Sequence, residues 1–298
     1  MQTVVTPWLK TAHVSLKVLR LDDFCPQASG NKLFKLKYNL IAALDRGHRK
    51  IISFGGAYSN HIHALALAGK QHGIRTVGVI RGEPVDPLNP TLNDARQAGM
   101  TLHFVSRECY RQRHEGEFQQ QLQQRLGASY IMPEGGSNEL AIKGCEEIVD
   151  HISAHLGTDY DVVAVPCGTG GTLAGVARAV ADDKLALGVS VLKGVDYLND
   201  EIAGYIGITD RHNWRLEGDY HCGGYAKCHR DLAMFIQEFI GQTGIPVEPV
   251  YSGKLFFALK AMIESGQFAK GTRIVAVHTG GMQGLRGMQP RLDRLLNR

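Results

Sequence analysis

The sequence predicts an α/β protein of two domains, each a twisted, mostly parallel sheet flanked by helices. Three observations lead there. Short apolar, β-branched runs alternate with helical patterns along almost the whole chain, as parallel strands joined by crossover helices require. The 298 residues suit one large or two medium domains, each able to bury a core. No repeat, low-complexity tract or long linker interrupts the pattern.

The elements follow in chain order. A strand-like run at 14–20 precedes a helical stretch at 33–44. Four compact β/α steps come next, with strands at 50–54, 76–81, 101–105 and 129–132 and helices including 60–71 and 91–97. A helical stretch at 140–155 leads to strands at 161–167 and 189–195, and the final strand is 273–278. Each strand assignment rests on apolar, β-rich composition bounded by turn residues. The block 36–138 is expected to form a small inserted domain, with 1–35 and 139–298 forming the large one. A cleft between two such domains is a favoured ligand site.

Two features point to chemistry. The first is a lysine in Gly30-Asn31-Lys32. The second is the loop Gly168-Thr169-Gly170-Gly171-Thr172, which follows the buried-strand run Asp161-Val162-Val163-Ala164-Val165-Pro166-Cys167 and opens a helix. Glycines let backbone N–H groups approach an anion, and the helix dipole favours negative charge. The loop lacks the Gly-Lys-Ser/Thr ending of a nucleotide P-loop, and Leu173 stands where a dinucleotide fingerprint needs its third glycine. A plain strand-to-helix turn remains the alternative.

Three further motifs join them. In Ser53-Phe54-Gly55-Gly56-Ala57-Tyr58-Ser59-Asn60-His61 a strand ends, glycines turn and a helix begins. Donors on that first turn suit a carboxylate, or simply an N-cap by Ser59. Tyr251-Ser252-Gly253-Lys254 and His278-Thr279-Gly280-Gly281 complete the set.

Composition narrows the field. A net charge of +4 argues against a dedicated nucleic-acid surface. The arginine clusters at Arg107, Arg111 and Arg113 and at Arg286, Arg291, Arg294 and Arg298 read as solvated helix faces. No stretch approaches the ~18 apolar residues that span a bilayer, and the first ten residues are not a signal peptide, so a cytoplasmic protein is expected. The six scattered cysteines read as reduced thiols. His221-Cys222 and Cys228-His229 lack a common zinc spacing, and His61 and His63 diverge on a helix, so no metal is expected.

In this order the five motifs closely resemble the pyridoxal-phosphate-dependent family of D-cysteine desulfhydrase and 1-aminocyclopropane-1-carboxylate (ACC) deaminase. The resemblance runs over residues 19–284 and includes Asp22-Asp23, Gly135-Gly136-Ser137-Asn138 and Gly224-Tyr225. It implies the tryptophan-synthase-β-like fold (PLP fold type II), pyridoxal 5'-phosphate as cofactor, a small amino-acid substrate and a homodimer. It implies that Lys32 carries the cofactor covalently and later acts as base, a role that suits a desolvated lysine amine. Gly168, Thr169, Gly170, Gly171 and Thr172 would hold the phosphate, and Asn60 the phenolic oxygen. Ser59, with Ala57, Tyr58 and His61 around it, would hold the substrate carboxylate. Tyr225 and Tyr251 would face the substrate, and Thr279 or Ser252 would meet the pyridine nitrogen.

The chain departs from the family at Tyr58, where glutamine is usual, and at Leu21 and Phe34, where arginine is frequent. Its N-terminal segment is shorter by roughly two dozen residues, the size of one or two ordinary elements. ACC deaminases carry glutamate where this chain has Ser252 and leucine where it has Thr279, so both positions side with the desulfhydrase branch. A glutamate would keep the pyridine nitrogen protonated, and a hydroxyl does this poorly. The expected reaction is therefore α,β-elimination, converting D-cysteine to pyruvate, sulfide and ammonia. ACC deamination, or elimination from another amino acid such as cysteate, is the nearest alternative. A catalytically silent amino-acid or cofactor binder and a nucleotide-binding module are the readings from other classes.

Overall fold

The computed structural model describes residues 1–24, 30–207 and 212–297. Along the chain, β1 (Gln2–Val4) and β2 (Ser15–Arg20) precede β3 (Lys50–Gly55), β4 (Arg75–Arg81), β5 (Thr101–Val105) and β6 (Tyr130–Met132). Then come β7 (Val162–Cys167), β8 (Leu185–Ser190), β9 (Trp214–Glu217) and β10 (Arg273–His278). They form a six-stranded sheet, β1-β2-β10-β7-β8-β9, and a four-stranded sheet, β5-β4-β3-β6. Every pairing is parallel except β1 with β2.

Both faces of the large sheet are covered, which is why its strands read as continuous apolar runs. In β10, Ile274 and Ala276 join a cluster with Leu16, Phe256 and Leu259, while Val275 and Val277 join Leu173, Ile142 and Ile148 on the other face. The two-residue period of a strand divides them. The small sheet repeats the arrangement, with Ile51 and Ile80 on one side and Ile52, Phe54, Val77 and Val79 on the other. The helix Asn31–Asp45 crosses from one core to the other, since Phe34 packs in the large-sheet cluster and Leu36 in the small-sheet one. On that division we propose 36–138 as the small domain, inserted between 1–35 and 139–298.

The sequence reading misplaced one strand and omitted two. The strand assigned to 189–195 is β8, Leu185–Ser190, and it runs straight through Gly188. A Cβ there would meet Leu173 Cδ2 at 2.5 Å, so the glycine serves close helix–sheet packing and does not break the strand. β1 and β9 are short outer strands with mixed burial, and give little periodic signal. Among the described residues no helix is long and apolar enough to cross a membrane, and no group of three or more His, Cys, Asp or Glu could hold a metal ion.

Parallel strands end on the same side, and ligands of such sheets bind outside the carboxyl ends. Lys32 follows β2, the glycine loop follows β7, Thr279 follows β10 and the Gly55–Ser59 turn follows β3. The motifs therefore converge on one cleft.

Candidate active site

The lysine is fixed by its neighbours. Gly30 has φ 44°, and a Cβ on it would lie 2.1 Å from the Thr279 carbonyl oxygen, so no other residue fits. Asn31 donates its backbone N–H to that carbonyl at 3.2 Å, and its Nδ2 to Thr172 Oγ1 at 2.8 Å. The first turn of the helix is thus tied to both β10 and the glycine loop. Lys32 keeps partial exposure, yet burial, and then the charge of Lys35, pull its amine down to about 7. A substantial fraction is therefore unprotonated at neutral pH, as a nucleophile or base needs.

The glycine loop faces a second lysine that sequence reasoning did not single out. Lys35 is 1% exposed. Its Nζ donates to Ser137 Oγ at 2.9 Å, to Gly135 O at 3.3 Å and to Thr169 Oγ1 at 3.4 Å. All three partners are neutral, and burial pushes this amine below the ordinary lysine range. A Cβ on Gly171 would come within 3.0 Å of Ser137 Oγ and 3.1 Å of Lys35 Nζ. The open start of the helix Gly171–Ala179 and a buried cation without a carboxylate therefore meet in one cradle. The chemistry of this cradle suits a phosphate dianion, and the amine of Lys32, three residues before Lys35 on the same helix, suits the aldehyde of pyridoxal phosphate. The available signal for Lys35 was its i+3 spacing from Lys32, which puts both on one helix face.

Opposite lies the turn after β3. Ser59 caps the helix Asn60–His72 by accepting from Ile62 N at 3.3 Å. Asn60 Oδ1 accepts from Gln283 Nε2 at 2.8 Å, and its amide sits where a Cβ on Gly281 would be, 2.3 Å away. Ala57 is half-buried. Tyr58 lies over Gly287 of the final helix, Leu285–Leu296, and is 47% exposed. Its ring thus joins the turn after β3 to the final helix.

His61 turns inward. Its Nε2 is 2.8 Å from Ser53 Oγ, which donates to Met132 O at 2.8 Å. That network assigns the proton to Nε2 and leaves Nδ1 a buried acceptor with no partner among the described residues. Burial, with Lys32 and Lys35 nearby, keeps the ring neutral. In that arrangement the His61 N–H is engaged by Ser53.

The remaining motifs close the cleft. Tyr225 and Tyr251 meet edge-on, with ring centroids 6.1 Å apart, and Tyr251 Cε1 lies 3.3 Å from where a Gly168 Cβ would be. Burial raises both phenols, so both stay protonated at neutral pH. Buried Lys254 donates to Gly224 O at 2.7 Å and Val191 O at 3.4 Å, tying the Tyr225 segment to the end of β8. Ser252 is fully buried and already engaged: its Oγ accepts from Glu248 N at 3.0 Å and donates to Glu248 Oε1 at 3.3 Å. The Glu248 carboxylate itself takes the N–H groups of Val250, Tyr251 and Ser252, each at 2.7 Å. Thr279, by contrast, has a hydroxyl with no hydrogen bond to any described residue. Its strand end is held by His278, which bonds Pro246 O at 2.7 Å and accepts from Gly280 N at 3.2 Å.

Comparison with known proteins fits this geometry. Residues 5–280 match the family described as pyridoxal-phosphate dependent enzyme. The chain is similar to the bifunctional D-cysteine desulfhydrase/ACC deaminase of Arabidopsis thaliana, 30% identical over 290 residues covering 90% of this chain and 72% of that one. It is also similar to the D-cysteine desulfhydrase of Serratia proteamaculans, 27% identical over 92% of this chain and 89% of that one. A solved ACC deaminase homologue superimposes with a TM-score of 0.85 at 27% identity, covering 99% of this chain and 93% of its own. The two-sheet architecture is that of PLP fold type II, and the chain belongs to the family of pyridoxal-phosphate-dependent enzymes.

Proposed function

We propose that the chain catalyses α,β-elimination from a small β-substituted amino acid, with D-cysteine as the leading substrate and pyruvate, sulfide and ammonia as products. The observation that carries this reading is that Thr279 offers a hydroxyl with no hydrogen bond to any described residue, while the Glu248 carboxylate beside Ser252 is taken up by backbone N–H groups. Of the two hydroxyls, Ser252 has its hydrogen engaged, so Thr279 is our choice for the pyridine nitrogen.

Bound pyridoxal phosphate supplies an aldehyde that captures the substrate amine and a ring that takes up the electron pair left at the α-carbon. Lys35 and the glycine loop would hold the phosphate. Lys32, released as a free amine of depressed pKa, takes the α-proton. Asn60 would hold the cofactor's phenolic oxygen, the backbone around Ser59 orients the substrate carboxylate, and Tyr58 braces that turn against Gly287. Tyr225 and Tyr251 keep their protons at neutral pH and can donate hydrogen bonds to the departing thiolate.

The test is a product assay on the holoprotein with D-cysteine, L-cysteine, cysteate and ACC. Equal amounts of pyruvate and sulfide from D-cysteine, lost in Lys32→Ala at unchanged Tm, are expected. Release of 2-oxobutyrate from ACC with none of pyruvate from D-cysteine would establish the second reading, which the likeness to a bifunctional enzyme favours.

A further inference from the structure

We infer that the mouth of the cleft holds a subsite for an oxyanion on the substrate's side chain, built on Arg81. This deepens the elimination reading and rests on it. Arg81 ends β4 at the carboxyl edge of the small sheet, where the parallel register pairs Gly55 with Ile80 and so sets Arg81 beside Gly56. Its Nη2 lies 3.5 Å from where a Cβ on Gly56 would be. The guanidinium stands over the Tyr110 ring, 5.6 Å from its centroid, which restricts the fork without using any of its donors.

Arg113 shares the Tyr110 ring with Arg81, 5.1 Å from the centroid, and its Nε lies 2.6 Å from Glu134 Oε2, which makes Arg113 the ion-pair partner of that carboxylate. Among the described residues Arg81 makes no ion pair and no hydrogen bond. Tyr225 is close enough to Arg81 for its charge to oppose the effect of burial on the phenol. An exposed, planar, two-pronged donor therefore stands beside the carboxylate turn and near the substrate-facing tyrosine. The turn itself, with the helix start at Asn60, is the natural seat of the α-carboxylate. Arg81 is then free for a second anion, such as a sulfate ester, sulfonate or carboxylate at the β-carbon, which a guanidinium grips with two parallel bonds.

A solvated arginine would give no selectivity, and an arginine that holds the α-carboxylate would affect all amino acids alike. Serine O-sulfate and β-chloroalanine separate these cases, because both carry good leaving groups and only one carries a second anion. Holoprotein of wild type, Arg81→Gln and Arg81→Lys would be titrated with both enantiomers of each compound. Binding is read from the visible absorption of the bound cofactor, and turnover from pyruvate release. Arg81→Gln is expected to raise Kd and KM for serine O-sulfate at least tenfold. It should change those for β-chloroalanine less than threefold, with kcat and Tm preserved, and Arg81→Lys should fall between. Equal effects on both compounds, or a wild type without preference for the sulfate ester, would overturn the subsite. A wild type that binds the sulfate ester in an Arg81-dependent way yet releases no pyruvate from any compound would overturn the elimination reading and leave the subsite standing.

Discussion

Replacing Lys35 with methionine separates what this residue does for the cofactor from what it does for the fold. Methionine keeps the length and apolar stem and removes the charge. In the cofactor-bound protein the ammonium would face a phosphate dianion in a site where Lys35 is 1% exposed. Losing one partner of such a buried, hydrogen-bonded pair costs about 2–5 kcal/mol, so Kd for pyridoxal phosphate should rise about 30- to 4,000-fold. Without cofactor the sign reverses, because the folded apoprotein buries this cation among neutral oxygens only. Its folded pKa lies below the unfolded value, so the unfolded chain binds more protons and the folded state is penalised below the ordinary lysine range. That penalty fades as pH rises toward ~10.4. Lys35→Met should therefore raise apoprotein Tm at pH 6–8 and lose this advantage near pH 10. Fluorescence titration of apoprotein with cofactor and a pH series of melting curves measure the two halves. A Kd within threefold of wild type, or an apoprotein less stable at pH 7, would refute the reasoning.

Three further outcomes are expected. Gly171→Ala should weaken cofactor binding at least tenfold with far-UV circular dichroism unchanged, since its backbone is helical and the new Cβ meets Lys35 Nζ and Ser137 Oγ; unaltered Kd would mean the loop is only a turn. Cofactor capture by apoprotein should be half-maximal near pH 7, where Lys32 loses its proton, and flat above pH 8.5; a rate still rising tenfold per pH unit at pH 9 would indicate an ordinary lysine. Thr279→Val should cut pyruvate release about tenfold at constant Tm, whereas Ser252→Ala should leave kcat within threefold and lower Tm by about 2–4 °C, the scale of one lost hydrogen bond in a chain this size; the reverse pattern would move the nitrogen contact to Ser252.

The convergence of the site was legible because four of the five motifs follow strands, and parallel strands of one sheet end on one side. The strands themselves were legible where β-branched residues run unbroken, as in β7 and β10. β8 was not, because a glycine chosen for packing against Leu173 looks in sequence like a glycine that ends a strand. Lys35 escaped notice for a similar reason. On the helix pattern it is one more polar residue, and its burial is decided by Gly135 and Thr169, 100 and 134 positions away. Ser252 was found by its place in a motif, while its engagement depends on Glu248, four residues back, whose role only the folded turn reveals. His61 was assigned from its neighbours in sequence, but Ser53 claims its proton.

The seat of β10 in the middle of the large sheet sets a clock on the making of this enzyme. Ser15 pairs with Arg273 and Arg20 with His278, so the earliest strands of the sheet wait for one of the last. Chains emerge from the ribosome N-terminus first, at roughly 5–20 residues per second. For most of that interval the small sheet, drawn wholly from residues 50–132, already has all four of its strands made. The reactive lysine has meanwhile no Thr279 carbonyl to anchor its helix start and no finished pocket around it. A nascent chain halted before residue 273 should be unable to retain the aldehyde cofactor, and the depressed lysine pKa should appear only once β10 has slotted home. Cofactor retention would then report completed synthesis, and a cell would not load its vitamin on unfinished copies.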